Sequence, residues 1–252
     1  MESIFTKRYQ VRLNEADFSG ALRPVALLNH MQDSAAADSR RSGYSVAELK
    51  VRNMTWVLSR YHVRMERYPD VGETIEVRTW RSFGGGIFSL RDYEIVDSNG
   101  NLLALATSSW VIMDLASKRP VKLDKVLAEL PTFDRRALHD DFAPLPKLIN
   151  YSREDSFRVR MADLDQNRHV NHTVYVEWAL ETVPMEILDG FSLVELEVGY
   201  RAEAFYGDTL LVRTGVANLG DPAVFQHQLV DCQNGKEFTR LKTRWKQKNF
   251  TG

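Results

Sequence analysis

The sequence predicts an α+β fold built from two copies of one unit, in which an antiparallel sheet packs on a single long helix. Three observations lead to this prediction. Sequence matches recur at two fixed offsets, each copy reads as a helix followed by strands, and an Asn-Gly pair separates the last two strands of each copy. A run of strands after one helix favours an antiparallel sheet that is covered by that helix.

The internal repeat rests on short segments that match in the same order. Residues 9–13 (YQVRL) align with residues 157–161 (FRVRM) at an offset of 148. Residues 72–79 (GETIEVRT) align with residues 207–214 (GDTLLVRT) at an offset of 135. The difference predicts 13 extra residues in the first copy. We place them near residues 40–53, where a serine and a glutamate three residues apart form a capping box for a short extra helix.

Each copy is expected to contain a short strand, a helix and four further strands. Pro24 suits the first turn of a helix, and the Asn-Gly pairs at 99–100 and 234–235 predict two-residue hairpin turns with positive φ at both positions. For the first copy we predict strands at 5–13, 54–67, 73–83, 87–97 and 102–114 and a helix at 24–39. For the second we predict strands at 154–162, 193–205, 208–217, 223–232 and 236–248 and a helix at 172–188.

The connection between the copies contains four of the eight prolines. Proline cannot donate a hydrogen bond to a sheet, so we expect residues 115–150 to form a linker that runs over the surface. The predicted domains are therefore residues 1–114, the linker at 115–150, and residues 151–252.

The composition excludes several classes of protein. A formal net charge of −1 argues against a globally basic nucleic-acid-binding protein. No apolar run approaches the roughly 18 residues of a membrane span, and residues 1–8 lack the pattern of a signal or transit peptide. Cys232 is the single cysteine, which excludes an internal disulfide and a Cys-based zinc site. We expect a soluble cytoplasmic protein without membrane insertion or a nucleic-acid partner.

Candidate site residues are the polar residues that only one copy carries, since residues needed for packing alone would be similar in both. The second copy has a polar segment, residues 163–171 (DLDQNRHVN), that leads into its helix. In this segment Asn167 replaces Ser19 of the first copy and His169 replaces Ala21. At the end of the long strand that follows, Glu203 replaces Tyr68.

Asp165, Asn167, His169 and Glu203 are the predicted catalytic residues. A carboxylate can deprotonate water and a histidine can protonate a leaving group, and a helix entry offers backbone N–H groups to a developing oxyanion. Asp165 has a simpler alternative, because Asp17 occupies the same place and both could serve only the turn. The pair His169 and His172 lacks the further ligands of a metal site, so we expect neither a metal ion nor a cofactor.

The sequence resembles a known family at these positions. Residues 165–171 followed by Tyr175, Trp178 and Glu181 resemble the catalytic segment of acyl-acyl-carrier-protein (acyl-ACP) thioesterases, and residues 196–203 (LEVGYRAE) resemble their second catalytic stretch. In the first copy the resemblance continues at 54–60, 67–69 and 109–113. It implies two tandem hotdog folds, each a sheet wrapped around one helix. It also implies hydrolysis of fatty acyl-ACP, which releases free fatty acid and ends chain elongation in fatty acid biosynthesis.

One departure from the family affects the mechanism. The plant branch carries a cysteine directly after the catalytic glutamate, whereas this chain has Ala204. A thiol nucleophile is therefore excluded at that position. We expect Glu203, with help from Asp165 and His169, to activate a water molecule, while Asn167 holds the substrate or the water.

Other features of the sequence remain open to two interpretations. Trp56, Met65 and the helix at residues 25–31 could line an acyl tunnel or be ordinary core. The last strand carries basic residues at every second position, which indicate either a solvated sheet face or, with Arg40, Arg41 and Lys50, a surface that binds acidic carrier protein: Arg240, Lys242, Arg244, Lys246 and Lys248. A homodimer is also left open.

Two other functions are compatible with the pattern. A hotdog dehydratase or isomerase would also use a histidine and a carboxylate, and a non-enzymatic acyl-binding protein would need only the apolar site. Acyl chain length, the choice between carrier protein and coenzyme A, and oligomeric state are not predicted by the sequence.

Overall fold

The computed structural model describes residues 4–127 and 130–248. The chain divides between Phe142 and Ala143 into two compact units, each of which is described by itself. Among the described residues, no helix combines the length and the apolar character needed to cross a bilayer.

The first unit consists of an antiparallel sheet and helices that pack against it. Its described elements are β1 (Phe5–Gln10), α1 (Pro24–Arg41), α2 (Val46–Val51), β2 (Met54–Met65), β3 (Thr74–Gly85), β4 (Phe88–Asp97), β5 (Leu102–Asp114) and α3 (Asp124–Leu127). The strands are ordered β1-β3-β4-β5-β2. Helix α1 contacts β1 and β3 and buries Leu27, Leu28 and Met31. Pro24 stands at its first position, as predicted.

The second unit has the same architecture. Its described elements are β6 (Arg153–Arg158), α4 (His172–Glu181), α5 (Met185–Gly190), β7 (Phe191–Tyr200), β8 (Thr209–Asn218), β9 (Ala223–Asp231) and β10 (Glu237–Gln247). The strands are ordered β6-β8-β9-β10-β7, and α4 contacts β8, β9 and β10. The predicted α+β class, with an antiparallel sheet against one helix in each copy, is confirmed.

The observed elements recur at the predicted offsets. The starts of β1 and β6, and those of α1 and α4, lie 148 residues apart. The starts of β3 and β8, and those of β5 and β10, lie 135 residues apart.

The turn before the last strand departs from this register. In the first unit Asp97 N–H donates to the Asn101 carbonyl (2.9 Å), whereas in the second Asp231 N–H donates to the Lys236 carbonyl (2.8 Å). The second turn is therefore one residue longer, and Asp231 is the counterpart of Asp97. Cys232, which the offset of 135 would pair with Asp97, lies inside the longer turn.

Both Asn-Gly hairpins form, but their turns are not the predicted type. Only the glycines have positive φ, 85° at Gly100 and 69° at Gly235, while neither asparagine does. Each turn instead closes around the carboxylate of the preceding aspartate. Asp97 accepts the N–H groups of Asn99 (2.8 Å) and Asn101 (2.9 Å), so an Asx turn replaces the tighter two-residue connection.

The predicted insertion and the second helix both need correction. Helix α2 is not an extra element, because α5 occupies the same place before the next strand. Most of the difference arises because α1 has 18 residues and α4 has 10. The helix predicted at 172–188 is interrupted, since α4 ends at Glu181 and Pro184 caps the separate helix α5.

The predicted linker also needs correction, because its first part packs on the first unit. Leu127 is buried together with Leu49 and Ile112. Further along, the carbonyl of Arg135 accepts hydrogen bonds from Trp80 Nε1 and Ser82 Oγ, both at 2.8 Å. Apolar burial, these bonds and isolated β-bridges from Pro120 to Met113 and from Phe133 to Ser82 attach the segment to the first unit, which extends to residue 142.

The core of the second unit contains a chain of polar side chains centred on His227. His227 Nδ1 lies 2.8 Å from Thr214 Oγ1, and His227 Nε2 lies 3.0 Å from Thr243 Oγ1. At one end Thr182 Oγ1 donates to the carbonyl of Ala179, and at the other Trp245 Nε1 donates to Thr243.

The direction of each bond in this chain follows from counting protons. Thr182 gives its single hydroxyl proton to a carbonyl, so it accepts from Thr214, which in turn accepts from His227 Nδ1–H. Nε2 is then the unprotonated nitrogen and accepts from Thr243. The chain therefore holds His227 in one neutral tautomer, and burial lowers its pKa to about 3.

Candidate active site

The loop that enters helix α4 is organised by Asp165. The carboxylate oxygen Oδ1 accepts the backbone N–H groups of Asn167 (2.7 Å) and His169 (3.1 Å). In the first unit Asp17 accepts those of Ser19 (2.8 Å) and Ala21 (3.3 Å) in the same way. The two loops therefore share one backbone design, and their difference lies in the side chains that they carry.

The tip of this loop has a left-handed backbone in both units. Arg168 has a φ of 63°, where the first unit has Gly20 at 89°. Glycine adopts this conformation without a steric penalty, whereas an L-residue such as arginine does so at a cost of about 1 kcal/mol. The catalytic-loop candidates Asn167 and His169 thus flank a residue in a strained conformation.

The segment after β7 brings Glu203 to this loop. Ala204 is completely buried and accepts the N–H of Val170 (3.0 Å), and its own N–H donates to the hydroxyl of Tyr175 (3.0 Å). One residue further, Phe205 forms a β-bridge with His169. These anchors fix the backbone on the C-terminal side of Glu203, so its side chain is placed beside His169.

His169 and Glu203 form the only pair of predicted site residues in direct side-chain contact within the part of the chain that the structure describes. His169 Nδ1 lies 3.2 Å from Glu203 Oε1, and the two side chains are 28% and 49% exposed. The imidazole also packs edge-on against the ring of Phe205, with 5.1 Å between centroids. A proton can pass between this histidine and this carboxylate, and water has access to both.

Asp165 and Asn167 lie in the same loop but play other parts. One carboxylate oxygen of Asp165 accepts two N–H groups of the loop, as that of Asp17 does in the first unit. Support of the turn is the simpler of the two roles predicted for Asp165. Asn167 is half-buried, and its backbone N–H donates to Asp165 as that of Ser19 does to Asp17. The amide side chain is the group in which Asn167 differs from Ser19.

Several of the backbone N–H groups at the helix entry, which the sequence predicts as oxyanion donors, are engaged inside the protein. They already have acceptors inside the protein, since Val170 donates to Ala204, Asn171 to Asp163, and Thr173 to the capping side chain of Asn171. These N–H groups donate the hydrogen bonds that build the loop. A side chain of the loop is therefore a further candidate donor for the substrate.

Comparisons with known proteins show the family to which the chain belongs. The chain matches the family model for the acyl-ACP thioesterase N-terminal domain over residues 2–130 and that for the C-terminal domain over residues 147–247. The chain belongs to the acyl-ACP thioesterase family. The resemblance seen in the sequence is thereby confirmed.

Individual acyl-ACP thioesterases match over nearly the whole chain. A chloroplastic acyl-ACP hydrolase of Cuphea viscosissima is 34% identical and a chloroplastic palmitoyl-ACP thioesterase of Cuphea hookeriana is 33% identical, each over 98% of this chain. The chain spans 63% of the length of each of these two relatives.

A solved structure confirms the fold. The 12:0-ACP thioesterase from Umbellularia californica matches with a TM-score of 0.88 and 29% identity, covering 97% of this chain and 94% of that one. The tandem hotdog fold predicted by the resemblance is therefore shown for this acyl-ACP thioesterase family member.

Tyr175 is a site residue that the sequence analysis did not single out as catalytic. Burial raises the pKa of its hydroxyl, and the negative charges of Glu203 and Asp165 raise it further. Its counterpart in the first unit, 148 residues earlier, is Leu27. The criterion that selected His169, a polar residue in one copy only, would have found it.

Replacing Tyr175 with Phe is expected to lower turnover more than it disturbs the fold. The change leaves the buried N–H of Ala204 without its acceptor, at a cost of about 1–3 kcal/mol, and frees the backbone next to Glu203. We expect kcat for thioester hydrolysis to fall about tenfold with little change in KM. Unchanged kcat in a variant with reduced unfolding free energy would show that Tyr175 acts on stability alone.

His172 does not join His169 at the site. It is half-buried and packs edge-on against the ring of Tyr200, and desolvation of its imidazole lowers its pKa to about 4. The described residues contain no group of three His, Cys, Asp or Glu side chains placed to hold a metal ion.

Cys232 is exposed in the turn between β9 and β10, where its N–H donates to the Thr209 carbonyl (3.1 Å). The imidazole of His169 contacts Glu203 and not sulfur. Replacing Cys232 with Ala is therefore expected to change kcat/KM for thioester hydrolysis by less than about twofold, within the usual effect of a surface substitution. A large loss, or inactivation of the wild type by iodoacetamide that the variant resists, would contradict this assignment.

The first unit lacks the acid–base pair. At the counterpart of Asn167, Ser19 Oγ donates to Asp17 (2.6 Å), and at the counterpart of Glu203 stands Tyr68, whose pKa is raised by burial. The side chains suggested as tunnel walls lie in or against the core. Met65 is buried, and Trp56 packs beside Leu49.

The basic face of β10 is neutralised by acidic neighbours. Lys242 lies 2.8 Å from Glu197, and Arg244 lies 3.0 Å from Glu195, both on the adjacent strand β7. Arg240 pairs with Glu237. These ion pairs favour the interpretation of a charge-balanced sheet face over that of a surface for carrier protein.

Proposed function

We propose that this protein hydrolyses the thioester of fatty acyl-ACP and so releases free fatty acid at the end of chain elongation. The observation that carries the proposal is the contact between His169 Nδ1 and Glu203 Oε1, which is partly open to solvent and occurs on a member of the acyl-ACP thioesterase family.

The proposed reaction is a direct attack of water. Glu203 removes a proton from a water molecule, whose oxygen attacks the thioester carbonyl carbon. The tetrahedral intermediate collapses by breaking the carbon–sulfur bond, which yields the fatty acid and the thiolate of the carrier. A thiol has an ordinary pKa near 8.5, so the thiolate leaves with little acid assistance and takes up the proton afterwards through His169.

The remaining residues prepare this step. The amide of Asn167 is the proposed hydrogen-bond donor to the carbonyl oxygen, since the N–H groups of Val170, Asn171 and Thr173 are engaged. Asp165 holds the loop, and Tyr175 holds Ala204 next to the base. In this proposal neither Asp165 nor Tyr175 exchanges a proton with the substrate.

A product assay tests the proposal against the two alternatives. The protein is incubated with saturated, 2,3-unsaturated and 3-hydroxyacyl-ACP, and free thiol, acyl structure and binding are recorded. Hydrolysis predicts one free thiol per fatty acid released. Interconversion of the 3-hydroxyacyl and unsaturated chains without thiol release would indicate a dehydratase, and binding without turnover would indicate an acyl-binding protein.

Chain length requires its own measurement. Relatives named for palmitoyl and for 12:0 substrates match this chain at 33% and 29% identity, so similarity does not separate these lengths. The same assay with acyl chains of 8 to 18 carbons gives the preference. A cytoplasmic location, suggested by the single cysteine, stays a prediction.

A further inference from the structure

Two segments of the first unit carry an excess of positive charge. Residues 40–53 and 114–127 contain eight basic residues and three acidic ones, a net charge of +5 in a chain whose formal net charge is −1. The basic residues are Arg40, Arg41, Lys50, Arg52, Lys118, Arg119, Lys122 and Lys125, and the acidic ones are Glu48, Asp114 and Asp124.

These two segments form one surface. Leu49 of α2, Ile112 of β5 and Leu127 of α3 share a buried apolar cluster. The N–H of Leu115 donates to the carbonyl of Asn53 (2.9 Å), which joins the end of the first segment to the start of the second. Their charged side chains therefore belong to one face of the unit.

Two acidic side chains of this face, both among the described residues, bind serines. Asp114 accepts the N–H and hydroxyl of Ser117 (2.7 and 2.8 Å), and Glu48 accepts the N–H of Ser45 (2.7 Å). Among the described residues no ion pair involves the following exposed side chains: Lys50, Lys118, Arg119, Lys122 and Lys125. Arg240, Lys242 and Arg244 of β10 differ, since each pairs with a glutamate.

Exposed apolar side chains accompany the charges. Val51 is 89% exposed beside Lys50, and Phe83 is 77% exposed at the tip of the β3–β4 hairpin. The hairpin tip is tied to the second segment by the bond from Leu123 N–H to the Gly86 carbonyl (3.2 Å). We call this face the basic cap, defined by Lys50, Val51, Phe83, Lys118, Arg119, Lys122 and Lys125.

The fold does not require this charge. Helix α5 occupies in the second unit the place of α2, and it contains Glu186 and Asp189 but no lysine or arginine. At this helix the positive charge is therefore specific to the first copy, in the same way that His169 and Glu203 are specific to the second.

We propose that the basic cap binds the acidic carrier-protein part of the acyl-ACP substrate, an inference that rests on the proposed function. Unpaired lysines and arginine attract and orient an acidic protein, while Val51 and Phe83 supply the apolar contacts of a small interface. A compact acidic partner needs only this patch. A nucleic acid or an extended anionic membrane would also meet the rest of a chain whose net charge is negative.

The test compares two double charge reversals that change the net charge equally. Lys122→Glu with Lys125→Glu alters the basic cap, and Lys147→Glu with Lys236→Glu alters exposed lysines elsewhere. Each protein is assayed with acyl-ACP and with the same acyl group on N-acetylcysteamine, which lacks the carrier. We expect the basic-cap variant to raise KM for acyl-ACP about tenfold at low salt, with a smaller effect at high salt, and to leave the small thioester unchanged.

The outcomes separate this inference from the proposed function. Wild-type hydrolysis with equal acyl-ACP kinetics in both variants, or equal losses with both substrates, would overturn docking at the basic cap alone. Absence of any thioester hydrolysis would overturn the proposed function, and binding of carrier protein without an acyl group to the same variants would still test the cap. Weaker binding to phosphatidylglycerol vesicles, with carrier binding intact, would assign the face to lipid and also overturn the inference.

Discussion

Replacing Glu203 with Gln is expected to lower kcat for acyl-ACP hydrolysis by about 10²–10⁴-fold. The amide has nearly the shape of the carboxylate but cannot take a proton from water, so binding and folding are retained while the base is lost. Steady-state kinetics with one acyl-ACP substrate measure the effect. The matched control is Glu186→Gln, the same change at an exposed position of α5 in the same unit, where we expect wild-type kinetics.

His169→Ala is the partner experiment for this base. Because His169 and Glu203 are in contact, we expect the double variant to lose no more activity than the worse single variant. Additive losses would mean that the two side chains act in separate steps. Hydrolysis retained at wild-type rate by Glu203→Gln would remove the carboxylate from the mechanism.

The free energy of unfolding is expected to fall steeply as the pH is lowered from about 6.5. Burial lowers the pKa of His172 to about 4 and that of His227 to about 3, whereas both titrate near 6.5 in the unfolded chain. Below pH 6.5 the unfolded state binds protons that the folded state excludes. Each histidine then removes about 1.4 kcal/mol per pH unit, until the pH reaches its folded pKa.

Urea unfolding at pH 7 and pH 5 checks this expectation, with a predicted loss of about 4 kcal/mol for the two histidines together. His227→Gln is expected to be less stable at pH 7 but to show a shallower pH dependence. The variant has one imidazole fewer that takes up a proton when the chain unfolds. His139→Gln changes an exposed histidine and is expected to keep the wild-type slope. Equal stability at the two pH values would show that both buried histidines accept protons in the folded state.

The repeat could be predicted from sequence because each copy needs the same pattern of strands, turn residues and helix entry. Offsets of 148 and 135 located the elements, and the Asn-Gly pairs located the hairpins. Turn geometry was not predictable from the Asn-Gly pair alone, since the carboxylate of Asp97 could compete with a tighter turn. The interruption of the second helix was readable from Pro184, whose ring cannot continue a helix.

The site was only partly predictable for a different reason. Copy-specific residues identified His169 and Glu203, but nothing in their spacing gives a 3.2 Å contact, which depends on the bridge between His169 and Phe205. Hydrogen bonds of backbone groups carry no signature in sequence. The acceptors of the N–H groups of Val170, Asn171 and Thr173 at the helix entry are therefore seen only in the structure. The glutamates opposite Lys242 and Arg244 likewise became partners only through strand register.

The shared design of the two aspartate loops gives the protein a built-in reference for its own mutants. Asp17→Ala, made in a Ser19→Ala background that removes the extra bond from Ser19 Oγ, and Asp165→Ala delete the same two backbone bonds, so their costs in folding should be alike. Only the second deletion touches residues that we assign to chemistry. Subtracting one measurement from the other isolates what a carboxylate contributes to catalysis from what it contributes to architecture, within a single polypeptide.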